Sequence, residues 1–178
     1  MNLPARIAAL GLALVLTACA VVPPTSVSGD SLSGRLAVKV DGVNGGAARS
    51  VSAAFELQGG PTVGRLNLST PLGSVLAQAR WAPGSVVLAT PQGERQFTDL
   101  DALTGEVLGE SLPVAALFDW LRGRPWAGAA STVNTPPAEA GFEQLGWAVN
   151  LARFDESWVV ATRRAAPTVV VRAKVDGR

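Results

Sequence analysis

Six runs in the first half of the chain alternate apolar and polar side chains, and a period of two commits a segment to a half-buried strand. "LSGRLAVKV" (32–40) opens the series. "SVSAAFELQ" (50–58) follows, with Val51, Ala53, Phe55 and Leu57 on one face and Ser52, Glu56 and Gln58 on the other. "VGRLNLS" sets Leu66 and Leu68 against Arg65 and Asn67, and "VLAQARW" sets Val75, Ala77, Ala79 and Trp81 against Gln78 and Arg80. The turn signals "APG" and "PQG" then lead into "SVVLAT" and "ERQFT". Short turns between alternating runs dictate antiparallel hairpins.

The period then changes. In "TDLDALTGEVLGE" Leu100, Leu103, Val107 and Leu108 recur at helical spacing, with Thr98 or Asp99 placed to cap the first turn. In the next segment Pro113 suits a first turn, Val114, Leu117, Phe118 and Leu121 follow i, i+3, i+4, i+7, and Gly123 can end the helix. "RPWAGAASTVNTPPAEAGF" reads as a Pro- and Gly-rich connection, after which "GWAVNLARF", "SWVVAT" and "TVVVRAKV" resume the strand pattern. Roughly nine antiparallel strands interrupted by one helical pair predict a mainly β (α+β) fold. The economical form is a strongly curved antiparallel sheet, an open or half barrel, with a short helical cover over its concave face enclosing an apolar cavity.

The chain begins with one charge, Arg6, an apolar run from Ile7 to Leu16, and then Leu16-Thr17-Ala18-Cys19. An apolar run of about ten residues falls well short of the roughly 20 needed to span hydrocarbon, so residues 1–18 read as a secretion signal. Cys19 is the only cysteine in the chain and follows a Leu-small-small triplet, which resembles the lipobox of bacterial lipoproteins. That resemblance implies a lipidated Cys19, carrying S-diacylglycerol and N-acyl (palmitate-type) groups, and no other cofactor. Residues 19–31, including "AVVPPTSVSGDS", are Pro- and Ser-rich and read as a tether with an r.m.s. span of about 20 Å. Residues 32–178 then form one domain.

Without Arg6 the remaining chain carries 14 basic against 14 acidic side chains. Nucleic-acid binding needs a clustered basic excess, so no nucleic-acid partner is expected. With no histidine and its one cysteine assigned to lipid, the chain offers no Ser-His or Cys-His arrangement and no His/Cys metal site. Neither lysine, Lys39 or Lys174, follows a glycine, which excludes a Walker A loop, so any directional process runs without bound ATP. The carboxylate pairs Asp99/Asp101 and Asp155/Glu156 read as helix-start and turn residues. No catalytic residue and no metal site are expected, and the chain is not read as an enzyme.

"STPLGS" (69–74) carries the most informative turn. Pro71 and Gly73 suit a turn chemically. Leu72, between them, would face water. Taken alone it is an ordinary exposed leucine or one that folds back on its neighbours. The five tryptophans, Trp81, Trp120, Trp126, Trp147 and Trp158, are either core or cavity lining.

Taken in order, "LSGRLAVKV", "AFELQGG", "GRLNLSTPLGSVLAQARW", "LPVAALFDWLRGRP" and "GWAVNLARF", preceded by a lipobox, resemble the LolB family of outer-membrane lipoprotein receptors of Gram-negative bacteria. The resemblance implies a lipid-anchored, periplasm-facing protein of the outer membrane, a monomer. It would accept triacylated lipoproteins from the periplasmic carrier LolA and insert them into the inner leaflet of the outer membrane. Its partners would be LolA, the acyl chains of client lipoproteins, and outer-membrane phospholipid. It also implies that Pro71, Leu72 and Gly73 form a membrane-insertion loop. Candidates for the acyl-chain cavity are Phe55, Leu66, Leu68, Trp81, Leu117, Trp120, Leu121, Trp147 and Leu151; alternation alone does not say which sheet face is concave. Two other readings compete, a lipid-anchored structural subunit of an outer-membrane assembly complex and a hydrolase using a serine without histidine.

Overall fold

The computed structural model describes residues 31–42 and 47–177, so the signal, Cys19 and the tether up to residue 30 lie outside the described residues. Eleven antiparallel strands form one strongly curled, open sheet. In chain order they are β1 (Ser31–Val40), β2 (Arg49–Gly59), β3 (Gly64–Ser69), β4 (Val75–Ala82), β5 (Ser85–Thr90) and β6 (Gly93–Phe97), then β7 (Ser131–Val133), β8 (Gly141–Gln144), β9 (Trp147–Asn150), β10 (Trp158–Arg163) and β11 (Val169–Val175). Helices α1 (Leu100–Leu108) and α2 (Val114–Trp120) come between β6 and β7.

The spatial order is β6-β5-β4-β3-β2-β1-β11-β10-β9-β8-β7. Every pairing but one joins sequence neighbours. The exception is β1 with β11, running from Gly34↔Val175 to Val40↔Val169. The chain therefore walks outward from β1 to the edge strand β6, crosses as helices to the opposite edge at β7, and walks back. The helices are thus fixed by topology: they bridge the two edges that the sheet leaves apart. Both edges are unattractive to a further strand, since β7 has three residues and β6 carries Glu94 and Arg95. Glu94 pairs with Arg80 at 3.0 Å, and Arg95 with Glu106 on α1.

Apart from the edge strands β6 and β7, alternation sends one face of each strand inward. Phe55, Leu57, Ala79, Trp81, Val86 and Leu88 pack with Leu103, Phe118 and Leu121 in one core. Val149, Val159, Ala161 and Val169 pack with Trp120, Phe142 and Trp147 in the other. Helix α2 serves both: Ala116 and Trp120 enter the second, Phe118 the first. Trp120 is fully buried, 5.9 Å from Trp147 and 6.4 Å from Phe142 between ring centroids, while Phe118 meets Trp81 edge-on at 5.9 Å. Gly34 and Gly141 are sterically required: a Cβ on Gly34 would lie 2.1 Å from the Lys174 carbonyl oxygen and 3.0 Å from the Phe55 ring, and one on Gly141 2.1 Å from the Val149 carbonyl oxygen.

Two details differ from the sequence reading, and the choice it left between two helix caps is settled. Strand β7 lies inside the segment read as a connection, and β8 begins at its end, where Gly141 and the inward-facing Gln144 interrupt the apolar alternation. The strand expected to run through Phe154 ends at Asn150, and residues Phe154–Glu156 form a 3₁₀ turn instead. Asp99, not Thr98, caps α1, its Oδ1 accepting the Ala102 N–H at 2.7 Å, and Gly109 ends the helix at φ 81°.

Gln144 is a buried polar residue whose hydrogen bonds are complete. Its Oε1 accepts from Trp120 Nε1 at 2.8 Å and from the Trp126 N–H at 2.9 Å, and its Nε2 donates to the carbonyls of Trp126 at 2.7 Å and Ala129 at 2.8 Å. It staples the end of the helical crossing to the sheet. Replacing Gln144 with Leu strands several buried polar groups, each costing about 1–3 kcal/mol. Thermal denaturation of Gln144→Leu should show a drop in Tm of at least about 5 °C.

Candidate functional site

The sheet has two ends. Where β1 finishes, here the upper end, lie the turns at 70–74, 91–92 and 145–146 and the loop 164–168; where β1 begins, the lower end, lie the turns at 60–63 and 83–84 and the connection 151–157. Helix α1 runs from lower to upper, because a Cβ on Gly109 just past its end would sit 2.9 Å from a guanidinium nitrogen of Arg49, at the start of β2.

Between the two cores, beneath α1 and α2, is a cavity of about 150 Å³. Its floor comes from β1–β3 and β11 through Leu36, Val38, Val51, Phe55 and Leu68, and its roof from α1 and α2 through Leu103, Leu108 and Leu117. The one polar lining residue, Thr104, gives the cavity nothing: its hydroxyl donates to the Leu100 carbonyl at 3.1 Å and accepts the Leu112 N–H at 3.0 Å. A cavity without a free donor or acceptor selects aliphatic groups and stays dry when empty. Its wall is most exposed at the upper end, where Val107, in the last turn of α1 and 46% exposed, lines it with Val51.

Of the nine residues singled out as cavity candidates, Phe55, Leu66, Leu68, Leu117 and Leu121 line this space. Trp81, Trp120 and Trp147 are packed into the cores on either side, and Leu151 rests against the core around Trp120. The indole rings pack into the solid flanks, while four leucines and the Phe55 ring border the void. The sequence reading did not single out Leu36, Val38, Val51, Leu57, Leu103, Thr104, Val107, Leu108, Leu112, Val114, Val171 or Ala173 as cavity residues. Inward parity on β1, β2 and β11 was the signal available for the strand residues among them.

Leu72 is 95% exposed at the tip of the β3–β4 turn. The turn is tightly held: the Gly73 N–H donates to the Thr70 carbonyl at 2.9 Å, the Ser74 N–H to the Thr70 hydroxyl at 3.1 Å, and Gly73 has φ 87°. Leu72 therefore cannot fold back onto its neighbours. Val75 and Leu76, just after the turn, are 62% and 40% exposed, and a register shift at Leu68/Ser69 lies opposite them. No ionisable residue occurs between Arg65 and Arg80.

The carboxylates collect elsewhere. Asp99, Asp101, Asp155, Glu156 and Asp176 are exposed around the lower end, where Glu156 is held below the usual carboxylate range by the hydrogen bond from Arg153. On the convex face, Arg153 and Lys174 stand 5.6 Å and 5.8 Å from the Trp158 ring centre. Among the described residues no cluster of three or more side chains could hold a metal ion, and no helix is long and apolar enough to cross a membrane.

An open, curled antiparallel sheet roofed by helices over an aliphatic cavity defines the class of half-barrel proteins with an apolar pocket. Comparison with known proteins makes the class specific. Residues 31–171 match the family model described as Outer membrane lipoprotein LolB. The outer-membrane lipoprotein LolB of Bordetella pertussis is 38% identical over 149 residues, which is 79% of this chain and 74% of the relative. That of Bordetella petrii is 33% identical over 94% of this chain and 90% of its own length, and that of Chromobacterium violaceum 32% identical over 83% and 82%. The chain belongs to the LolB family of outer-membrane lipoproteins.

A dry aliphatic cavity takes small apolar guests without help from any hydrogen bond. Xenon under pressure should bind beneath α1 and raise Tm progressively with its concentration, the stabilisation growing as the logarithm of one plus the ratio of xenon concentration to Kd. Leu66→Trp, which fills the space, should remove that rise while leaving the circular-dichroism spectrum of the sheet unchanged.

Proposed function

We propose that the chain receives the acyl chains of lipoproteins from the periplasmic carrier LolA and releases them into the inner leaflet of the outer membrane, without nucleotide hydrolysis. The observation that supports this reading best is the juxtaposition at the upper end of the sheet: Val107, the exposed residue of the cavity wall, lies at the same end as an uncharged turn that projects Leu72 into solvent. The carrier and the membrane are each an apolar container. At about 0.8 kcal/mol per CH₂, acyl chains cost tens of kcal/mol to expose to water, so transfer must run from one container to the next. A rising series of affinities then supplies direction.

A void of about 150 Å³ suits a benzene-sized guest, and an acyl chain is larger. The cover must therefore move to admit one. Helix α2 is the fixed part, because Ala116, Phe118 and Trp120 are buried in the cores. Helix α1 is the mobile part: beneath Leu103, Leu108 and Val107 lies the void, and its exposed side is tied to the sheet by the Arg95–Glu106 ion pair. A half-exposed pair of this kind contributes at most about 1 kcal/mol, weak enough to open with each cycle.

Lipid then takes up the exposed tip. Burying one leucine gains about 1.5–3 kcal/mol, which fits a reversible touch rather than an anchor. Leu72→Glu should leave uptake of lipoprotein from LolA unchanged and lower delivery to liposomes at least tenfold; loss of uptake would assign Leu72 to the cavity or the carrier instead. Locking α1 to β6 through a disulfide between Arg95→Cys and Glu106→Cys should suppress uptake until reductant is added. A lipid-anchored structural subunit would take up no acyl chains in either state.

A further inference from the structure

The β8–β9 hairpin carries a second leucine where its chemistry is costly. Leu145 and Gly146 are the two central residues of a two-residue turn closed by Gln144↔Trp147, and both have positive φ, 54° and 76°. Turns of this kind are filled by Asn-Gly or Asp-Gly, since a branched apolar side chain rarely adopts positive φ. Burial does not explain the leucine either, because Leu145 is 47% exposed. A residue that neither suits its backbone nor fills the core points to a role outside the fold.

Register places this turn at the same end as Leu72. Ala148 pairs with Thr162, Arg163 with Val169, Val169 with Val40, and Val40 with Arg49, so the start of β9 lies at the upper end with the finish of β1 and the start of β2. Strand β3 finishes toward that end as well, through Ala54↔Ser69. Six strand steps at about 4.8 Å, from midway between β4 and β3 to midway between β9 and β8, put the two tips some 29 Å apart along the curved sheet. The cavity's exposed wall lies at the same end.

We propose that Leu145 is a second bilayer contact, so that the domain stands on a phospholipid surface on two leucine tips, Leu72 and Leu145, with the cavity opening at the same surface. This rests on the membrane step proposed above. The charge distribution selects a bilayer as the occupant. Around the upper end Asp41, Glu94, Glu106 and Glu110 are each ion-paired, with Lys39, Arg80, Arg95 and Arg163, while two cations, Arg49 and Arg164, are exposed against one further exposed carboxylate, Glu143 on β8. The exposed carboxylates are concentrated at the other end. A negatively charged lipid surface is therefore met by the apolar, weakly basic end and repels the acidic one. Two separated contacts also fix an orientation, which one leucine cannot do.

Chain length permits this stance even though β1 begins at the lower end. The eleven residues from Ala20 to Asp30 can reach at most about 36–40 Å, and the ten residues of β1 span about 33 Å. A lipid at Cys19 can therefore share a bilayer with the two tips.

The test uses the full chain in proteoliposomes containing 20% phosphatidylglycerol, with single cysteines replacing Leu72, Leu145 or Asp155 and carrying an environment-sensitive fluorophore. The unsubstituted chain, treated identically, reports any labelling of Cys19. Quenching by lipid-borne nitroxides is expected at positions 72 and 145 and not at 155. Quenching at 72 without 145 overturns this proposal and leaves the receptor reading standing. Quenching at neither removes the membrane step of both. A second variant separates function from folding: Leu145→Asn relieves the backbone, so its Tm should hold or rise while delivery to liposomes falls at least threefold. Unchanged delivery by Leu145→Asn would contradict the proposal.

Discussion

The pairing of β1 with β11 is the contact on which the rest of the architecture depends. It joins two meanders of six and five strands into one sheet, and it forces the chain between them to cross from one edge to the other. A continuous curled sheet has a concave face that must be covered, and the crossing segment is the only part of the described chain free to cover it. Helices α1 and α2 therefore lie where they do because the sheet is left open. Closing the barrel by joining β6 to β7 would remove both the crossing and the cavity.

Packing then divides the labour within the cover. The indole of Trp120 and the ring of Phe118 drive α2 into two aromatic cores, and Gln144 holds the end of the crossing with a full set of hydrogen bonds. Helix α1 bridges the gap between those cores with aliphatic side chains, and the void beneath it is what the flanking rings leave unfilled. Rigidity on one side and an unfilled seam on the other are the properties a container needs if it is to open without unfolding. The seam offers no polar group, so it discriminates by apolarity and size and not by headgroup chemistry. That suits lipoproteins that share acyl chains and differ in everything else.

Much of this was legible in the sequence. Alternation located nine of the eleven strands, and helical spacing located both helices. The half-barrel with a helical cover followed from their order and length. What escaped detection had physical causes. Gln144 faces inward, so polarity misled the parity argument at β8. Whether an inward residue borders a void or a packed core depends on the sizes of its neighbours across the sheet, and this is why Leu68 and Leu117 line the cavity while Trp120 and Trp147 flank it. Leu72 stood out because proline and glycine announce its turn. Leu145 did not, because "QLGW" looks like part of a strand until the positive φ of Leu145 is known.

The proposed function requires lipoprotein acyl chains to enter the cavity between the two cores. It is tested most directly by handing over, from LolA, a lipoprotein whose acyl chains carry a photoreactive diazirine, then irradiating and mapping the cross-linked residues by mass spectrometry. Adducts on Phe55, Leu66, Leu68, Leu117 and Leu121 are the predicted result. Adducts confined to the convex face around Trp158, or none on a chain that has accepted the lipoprotein, would contradict it.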